Sequence, residues 1–221
     1  MDVLLTAPAN PMSGATFKKF VRLQCYNALE NSGFVRFAKE GVDWPLRNGF
    51  HCWVGLNTGL YSDRVEVNPF VGIHVVPIAQ MHALSGRRYD RKVATYSIHI
   101  GELAGACENN SFVFELEKDK NLIESEAMRL SNIYCSVGLE YARSISSYEE
   151  LLPLLMGRVK MLGGYPEDAA CCLFLMGKIK EAREFVDDFL EKERGYFEGF
   201  ATAFLKLIAS HELKSNKMGL R

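Results

Sequence analysis

No long apolar run, no excess of one charge and no cysteines at metal-ligand spacing mark this sequence, and each lack removes a class of function. The longest strongly apolar stretch, Ala169–Met176, is far short of the roughly 20 residues that span a bilayer. The opening Met1–Pro11 has neither a basic segment nor a long apolar one, so no signal peptide is expected. Net charge is −1, with 12 basic and 11 acidic residues up to Lys118 and 14 and 16 after it. Neither half has the basic surplus that engages nucleic acid by charge, or the acidic surplus that mimics it. The six cysteines, Cys25, Cys52, Cys107, Cys135, Cys171 and Cys172, lack C-x-x-C spacing. They read as small buried hydrophobes in a reducing compartment rather than as disulfides or metal ligands. The phosphate loop G-x-x-x-x-G-K-[ST], the dinucleotide turn G-x-G-x-x-G, the nucleophile elbow G-x-S-x-G and the zinc helix H-E-x-x-H are all missing. No cofactor or metal is expected.

What is present suits a packed globular chain. At 221 residues, 48% hydrophobic and 24% charged, it can bury a core and is not compositionally disordered. The stretch Val65–Val76 is the longest β-like run. Val65, Val67, Val71, Ile73 and Val75 share one face; Glu66, Asn68, Phe70, Gly72 and His74 share the other. Pro69 cannot donate to a ladder and marks a bulge or an edge position. Before this run, a helix capped by Thr16 places Phe17, Phe20, Val21, Cys25, Ala28 and Leu29 at helical spacing and stops at Asn31–Gly33. Short strands are expected at Phe34–Ala38 and Trp44–Leu46, and a longer one alternates from Phe50 to Leu56, with turn chemistry at Asn57–Gly59 and at Ser62–Asp63. Further strands are expected at Val93–Gly101 and from Phe112, with a short helix from Pro77 to Leu84.

From Asp119 the period becomes helical. Leu122, Ile123, Ala127, Leu130, Ile133 and Tyr134 form one stripe, and Leu139–Arg143 reads as a possible short edge strand. Ser147 with Glu150 opens the next helix, Pro166 another, and Gly177 and Gly195 separate the last ones. Ala170, Leu173, Gly177, Glu181 and Ala182 resemble one helical hairpin of a tetratricopeptide repeat, without a second copy. The expected class is α+β: an N-terminal helix, a mainly antiparallel sheet of about five strands, and a helical C-terminal third of about four or five helices. The division is a sheet lobe, residues 1–118, and a helical lobe, 119–221, packed tightly together as one unit.

Chemistry concentrates on the polar face of the sheet. His51, His74 and His99 lie there, with Trp53, Asn68 and Phe70. Three imidazoles on one face could ligate a metal or move protons. Pairing indices argue against a cluster. A tight hairpin before Arg64 puts His51 opposite Phe70, and an antiparallel Val93–Gly101 puts His99 opposite Phe70 too, leaving them about 9–10 Å apart. A metal needs each nitrogen about 2 Å away. Arg87, Arg88, Arg91 and Lys92 surround Tyr89 in a basic loop that suits a phosphate, an RNA loop or an acidic partner, or simply solvent. Glu66 and Glu102 are carboxylates with no base or nucleophile fixed beside them.

Phe17-Lys18-Lys19, Gly33-Phe34, Trp44, Leu56-Asn57 and the Gly72 strand, within residues 16–102, resemble small bacterial α/β domains that begin with a helix and continue into a meander. Some of these sit beside toxin genes. The resemblance implies an immunity-like protein that neutralises by binding, and it carries over no catalytic residue. The reading is of a cytoplasmic protein-binding or accessory protein rather than an enzyme, acting on a protein partner or by self-association, with neither membrane nor nucleic acid as a partner. Trp53, Asn68, Phe70, His51, His74, His99, Arg87 and Arg88 are its candidate binding residues. The alternative is an enzyme or metal-binding protein with a histidine-containing pocket on the same face.

Overall fold

The structure, a computed structural model, describes residues 13–84, 86, 89–103, 111–116, 119–161 and 165–218. Helix α1 (Gly14–Asn31) is capped by Ser13, not Thr16: the Ser13 hydroxyl accepts the Thr16 N–H. Phe17, Val21, Cys25, Ala28 and Leu29 form its buried face, joined by Tyr26. Gly33, at φ 103°, ends it in a conformation that favours glycine.

Strands β1 (Val35–Ala38), β2 (Gly41–Pro45), β3 (Phe50–Leu60) and β4 (Arg64–Val75) form an antiparallel meander. β5 (Tyr96–His99) and β6 (Phe112–Glu115) share the far edge of β4, so the sheet has six strands and every pairing is antiparallel. β5 is shorter than the expected Val93–Gly101, because Ile100–Glu102 turns into a 3₁₀ helix. The β3–β4 register differs from the expected one. Leu60 pairs with Val65 across a turn at Ser62–Asp63, so His51 faces His74 and Trp53 faces Gly72; neither His51 with Phe70 nor Trp53 with Asn68 is a pair. Asn57–Gly59 is strand rather than turn. Thr58 pairs with Val67, and the Tyr61 ring closes over Gly59, where a Cβ would meet it at 3.1 Å.

Pro69 is explained by the same alternation. Val76 N–H donates to the Gly49 carbonyl, whereas Phe50 bonds Arg47 and Leu46 on the other side. Odd-numbered residues of β4 therefore turn their backbone groups away from β3, as Ile73 does in accepting the Thr95 N–H. Pro69 belongs to that set. It falls between the stretch paired with β5 and the stretch paired with β6, so its missing N–H breaks no ladder bond. The Leu56 carbonyl faces the opposite way, beyond the end of β2. Arg22 of α1 donates to it at 2.8 Å and Thr58 Oγ1 at 3.1 Å, so this exposed edge of β3 is satisfied by side chains.

Val65, Val67, Val71, Ile73 and Val75, with Phe50, Cys52, Val54 and Leu56, are buried on the inner face. Each such side chain contributes about 1.5–3 kcal/mol where it is a Val, Leu, Ile or Phe. Under them lie α1, α3 (Lys120–Ile133) and α4 (Leu139–Ser144), the last a helix where the sequence pattern left helix and edge strand open. A π-helical turn, Tyr134–Gly138, joins α3 to α4. It turns fully buried Tyr134 upward, and its hydroxyl has the carbonyls of the paired residues Gly55 and Phe70 as acceptors at 3.0 and 2.9 Å.

The helical part continues through α5 (Tyr148–Arg158), whose Ser147 cap accepts the Glu150 N–H, then α6 (Pro166–Leu175), α7 (Ile179–Lys192) and α8 (Arg194–Met218). Gly177, at φ 76°, makes the α6–α7 turn; the break expected at Gly195 falls at Glu193, and Gly195 lies in the first turn of α8. There are thus six α-helices after the sheet among the described residues. The architecture is α+β, as expected. α2 (Val76–Leu84), a direct extension of β4, packs on α6 and α8. Arg158 of α5 reaches the Ser97 carbonyl of β5 at 2.6 Å, its guanidinium 4.3 Å from the Tyr96 ring. No helix among the described residues is long and apolar enough to cross a membrane.

Candidate functional site

Strand alternation sends Asp43, His51, Trp53 and Asn57, then Asn68, Phe70 and His74, then Ser97 and His99, to the face away from α1. Glycine shapes this face. Trp53 lies over Gly55, whose Cβ would stand 2.3 Å from the indole ring. Gly72, opposite both Trp53 and Ser97, lets β5 approach so closely that a Cβ would lie 1.8 Å from the Tyr96 carbonyl oxygen. Phe70 and His99 face one another at 5.3 Å between ring centroids, edge to face, as expected from the β4–β5 pairing.

Half of the face is covered by Tyr89–Thr95, a segment laid across it as a strap. Trp53 Nε1–H donates to the Lys92 carbonyl at 3.0 Å. Arg91 grips the Asp43 carboxylate with two N–H groups, at 2.5 and 2.8 Å, and its guanidinium lies 4.9 Å from the Phe37 ring. Asp43 is 1% exposed, and this two-pronged pairing compensates its buried charge. His51 Nδ1 stands 3.2 Å from both Asp43 Oδ1 and Arg91 Nη2. His74 Nδ1–H donates to the Val93 carbonyl at 2.8 Å, and its Nε2 accepts from the Tyr89 hydroxyl at 3.3 Å. Burial holds the His74 pKa below the ordinary imidazole value; the Val93 bond opposes that and the neighbouring His51 adds to it. His74 is therefore neutral with its proton on Nδ1. The basic loop is thus used, through Arg91 and the Lys92 carbonyl, to hold the strap.

The strap leaves a hollow on either side. One, about 410 Å³, lies beside the open half of the face and is lined by Trp53, Phe70, Asn57, Phe37, Tyr26 and Arg22. The other, about 400 Å³, lies between the strap, α2 and α6 and is lined by His74, His82, Tyr89, Thr95, Tyr165 and Asp168. A third, about 880 Å³, lies between the end of α5 and α7–α8 and holds none of the sequence-predicted site residues.

The structure brings Trp53, Asn68 and Phe70 into the open half and pairs His51 with His74, ring centroids 6.5 Å apart. His99 stands apart. Its Nδ1 accepts the Gly101 N–H at 3.1 Å, and Glu102 accepts the His99 N–H, so this imidazole caps a 3₁₀ turn. No group of three or more His, Cys, Asp or Glu among the described residues is placed to hold a metal. Arg87 and Arg88 lie outside the described residues. Sequence reasoning missed Asp43, whose signal was a carboxylate inside a strand, and the pair His82–Asp168, 3.1 Å apart, which joins α2 to α6 and has no local signal. No protein-family model matches the chain, and no curated protein or solved structure matches it, so the site is read from its own geometry.

Proposed function

We propose that the protein is a binding or accessory protein that takes a protein partner on the half of the outer sheet face beyond the strap. The observation that carries this reading is the exposed pair Asn57–Asn68 beside the rings of Trp53 and Phe70, at the mouth of the 410 Å³ hollow. Both rings are already held, Trp53 by Lys92 and Phe70 by His99, so docking on them forfeits little side-chain entropy. Rigid aromatic anchors edged by amides are the pattern of an interface centre. Toxin neutralisation, implied by the resemblance of residues 16–102, is one form such binding takes.

A cytoplasmic location belongs to the same proposal. Its support is the free cysteines Cys25, Cys52, Cys171 and Cys172, all buried in the core. Burial pushes the Cys25, Cys52 and Cys172 thiols up to about 12, which keeps them protonated and unreactive. The histidine-pocket enzyme has a narrower basis, since of His51, His74 and His99 only His74 lines one of these hollows.

The test compares capture from native lysate by the wild type and by an Asn57→Arg/Asn68→Arg double variant, whose sites are exposed and leave the fold unaltered. The expected result is a partner recovered near one to one by the wild type and at least about tenfold less by the variant, since interface centres concentrate the binding energy. Equal recovery, or no stoichiometric partner, contradicts the proposal.

A further inference from the structure

The sheet has a notch at the edge of β3. Pairing with β2 ends at Asp43–Trp53, and the even-numbered residues of β3 turn their backbone groups to that side, as Phe50 does in accepting the Leu46 N–H. The Val54 carbonyl and the Leu56 N–H come next and have no ladder partner. Beyond them the edge closes. Arg22 and Thr58 Oγ1 donate to the Leu56 carbonyl, and Lys18 donates to the Thr58 carbonyl at 2.7 Å. The open edge is therefore one acceptor and one donor, two residues apart on one strand. An added strand needs a longer run of free carbonyls; a single planar ring with a donor beside an acceptor needs no more than this.

Rings and a hydroxyl flank the notch. Phe37 and Trp53 lie on its outer side, and Phe37 covers Gly41, where a Cβ would stand 2.7 Å from the ring. Tyr26 of α1 lies on its inner side. Tyr26 is 3% exposed, yet its hydroxyl has no hydrogen-bond partner among the described residues. Buried polar groups normally have one. The hydroxyl is not sealed from solvent, and the space it opens on is the 410 Å³ hollow that Tyr26 lines. Burial raises its pKa, so it stays a donor at neutral pH. Of the charged groups lining the hollow, Arg22 and Glu40 pair at 3.1 Å, and Lys92 is the third. The volume is that of a small-molecule site.

We propose that this notch binds the base of a free nucleoside. A base N–H donates to the Val54 carbonyl, and the adjacent ring nitrogen or carbonyl accepts the Leu56 N–H. Adenine, cytosine and uracil each present such a donor beside an acceptor on one edge. Phe37 and Trp53 supply the aromatic surface that any base face accepts, and the Tyr26 hydroxyl donates to the ribose. This goes beyond the docking of a partner on the outer face and does not depend on it.

Saturation-transfer NMR on the full chain at pH 7.5 tests this, with adenosine, cytidine and uridine as probes and ribose as the control. Transfer to the base protons of at least one nucleoside is expected, and none to ribose. The same nucleoside with its donor nitrogen fully methylated binds at least about tenfold more weakly, since the Val54 carbonyl then loses its donor. Tyr26→Phe removes only the unbonded hydroxyl. Its thermal midpoint matches that of the wild type, while nucleoside binding weakens at least about fivefold, the scale of one hydrogen bond. Silence from all three nucleosides, equal binding of the methylated base, or full-strength binding by Tyr26→Phe overturns the proposal. So does a lowered midpoint for Tyr26→Phe, which would show the hydroxyl bonded within the fold.

Discussion

Asp43 shows what a single residue costs and how that cost is offset. A carboxylate 1% exposed survives in β2 because Arg91 holds both of its oxygens and His51 stands beside it. Removing one partner of a buried pair costs about 3–5 kcal/mol. Arg91 is itself 30% exposed, so Arg91→Ala is expected to destabilise by about 2 kcal/mol after that discount; urea unfolding midpoints measure it. His74 supplies a pH dependence. The folded state favours its neutral form, while the unfolded chain takes up a proton at the ordinary value of 6.5. The stability it contributes is complete above 6.5 and is lost as pH falls through the lowered folded-state value. Charged and titrating neighbours are Asp43, His51, Arg91 and Tyr89. Thermal midpoints from pH 8 to pH 5 should fall for the wild type and fall less for His74→Gln.

The elements were legible unequally, and the reasons are physical. Alternation along Val65–Val75 gave both faces of β4, because a residue period of two needs no tertiary information. The β4–β5 opposition of Phe70 and His99 also followed from pairing indices. The β3–β4 register did not. Two turn-capable stretches, Asn57–Gly59 and Ser62–Asp63, compete to close that hairpin, and only the continued pairing of Thr58 with Val67 decides between them. Leu139–Arg143 stayed ambiguous because a buried helix turn and a short edge strand share an apolar pattern, and the structure resolves it as helix. The strap had no signal beyond its charges, since its anchors Asp43, Trp53 and His74 belong to strands distant in sequence. Gly72 is the element-scale test. With a Cβ position 1.8 Å from the Tyr96 carbonyl, Gly72→Ala cannot coexist with this β4–β5 spacing. Loss of exchange protection in β5, or failure to fold, is expected; a fully protected, wild-type-like β5 would refute the close approach.

Across the whole molecule, the sheet and the later helices meet through α2. His82 touches Asp168 of α6 and, edge to face at 5.9 Å, Phe200 of α8, while Arg158 ties α5 to β5. These contacts tie the later helices to the end of β4 and to β5. Strap and open half together give the sheet two surfaces: a covered one built on Asp43, His51 and His74, and an uncovered one built on Trp53, Asn57, Asn68 and Phe70. The proposal that a partner docks on the second is tested most directly by site-specific photo-crosslinking in cells, with the crosslinking residue at Asn68 or, as a control, at exposed Glu184 on α7. A single discrete adduct from position 68 and none from position 184 is the predicted result. Adducts of equal yield from both positions, or none from 68, would contradict it.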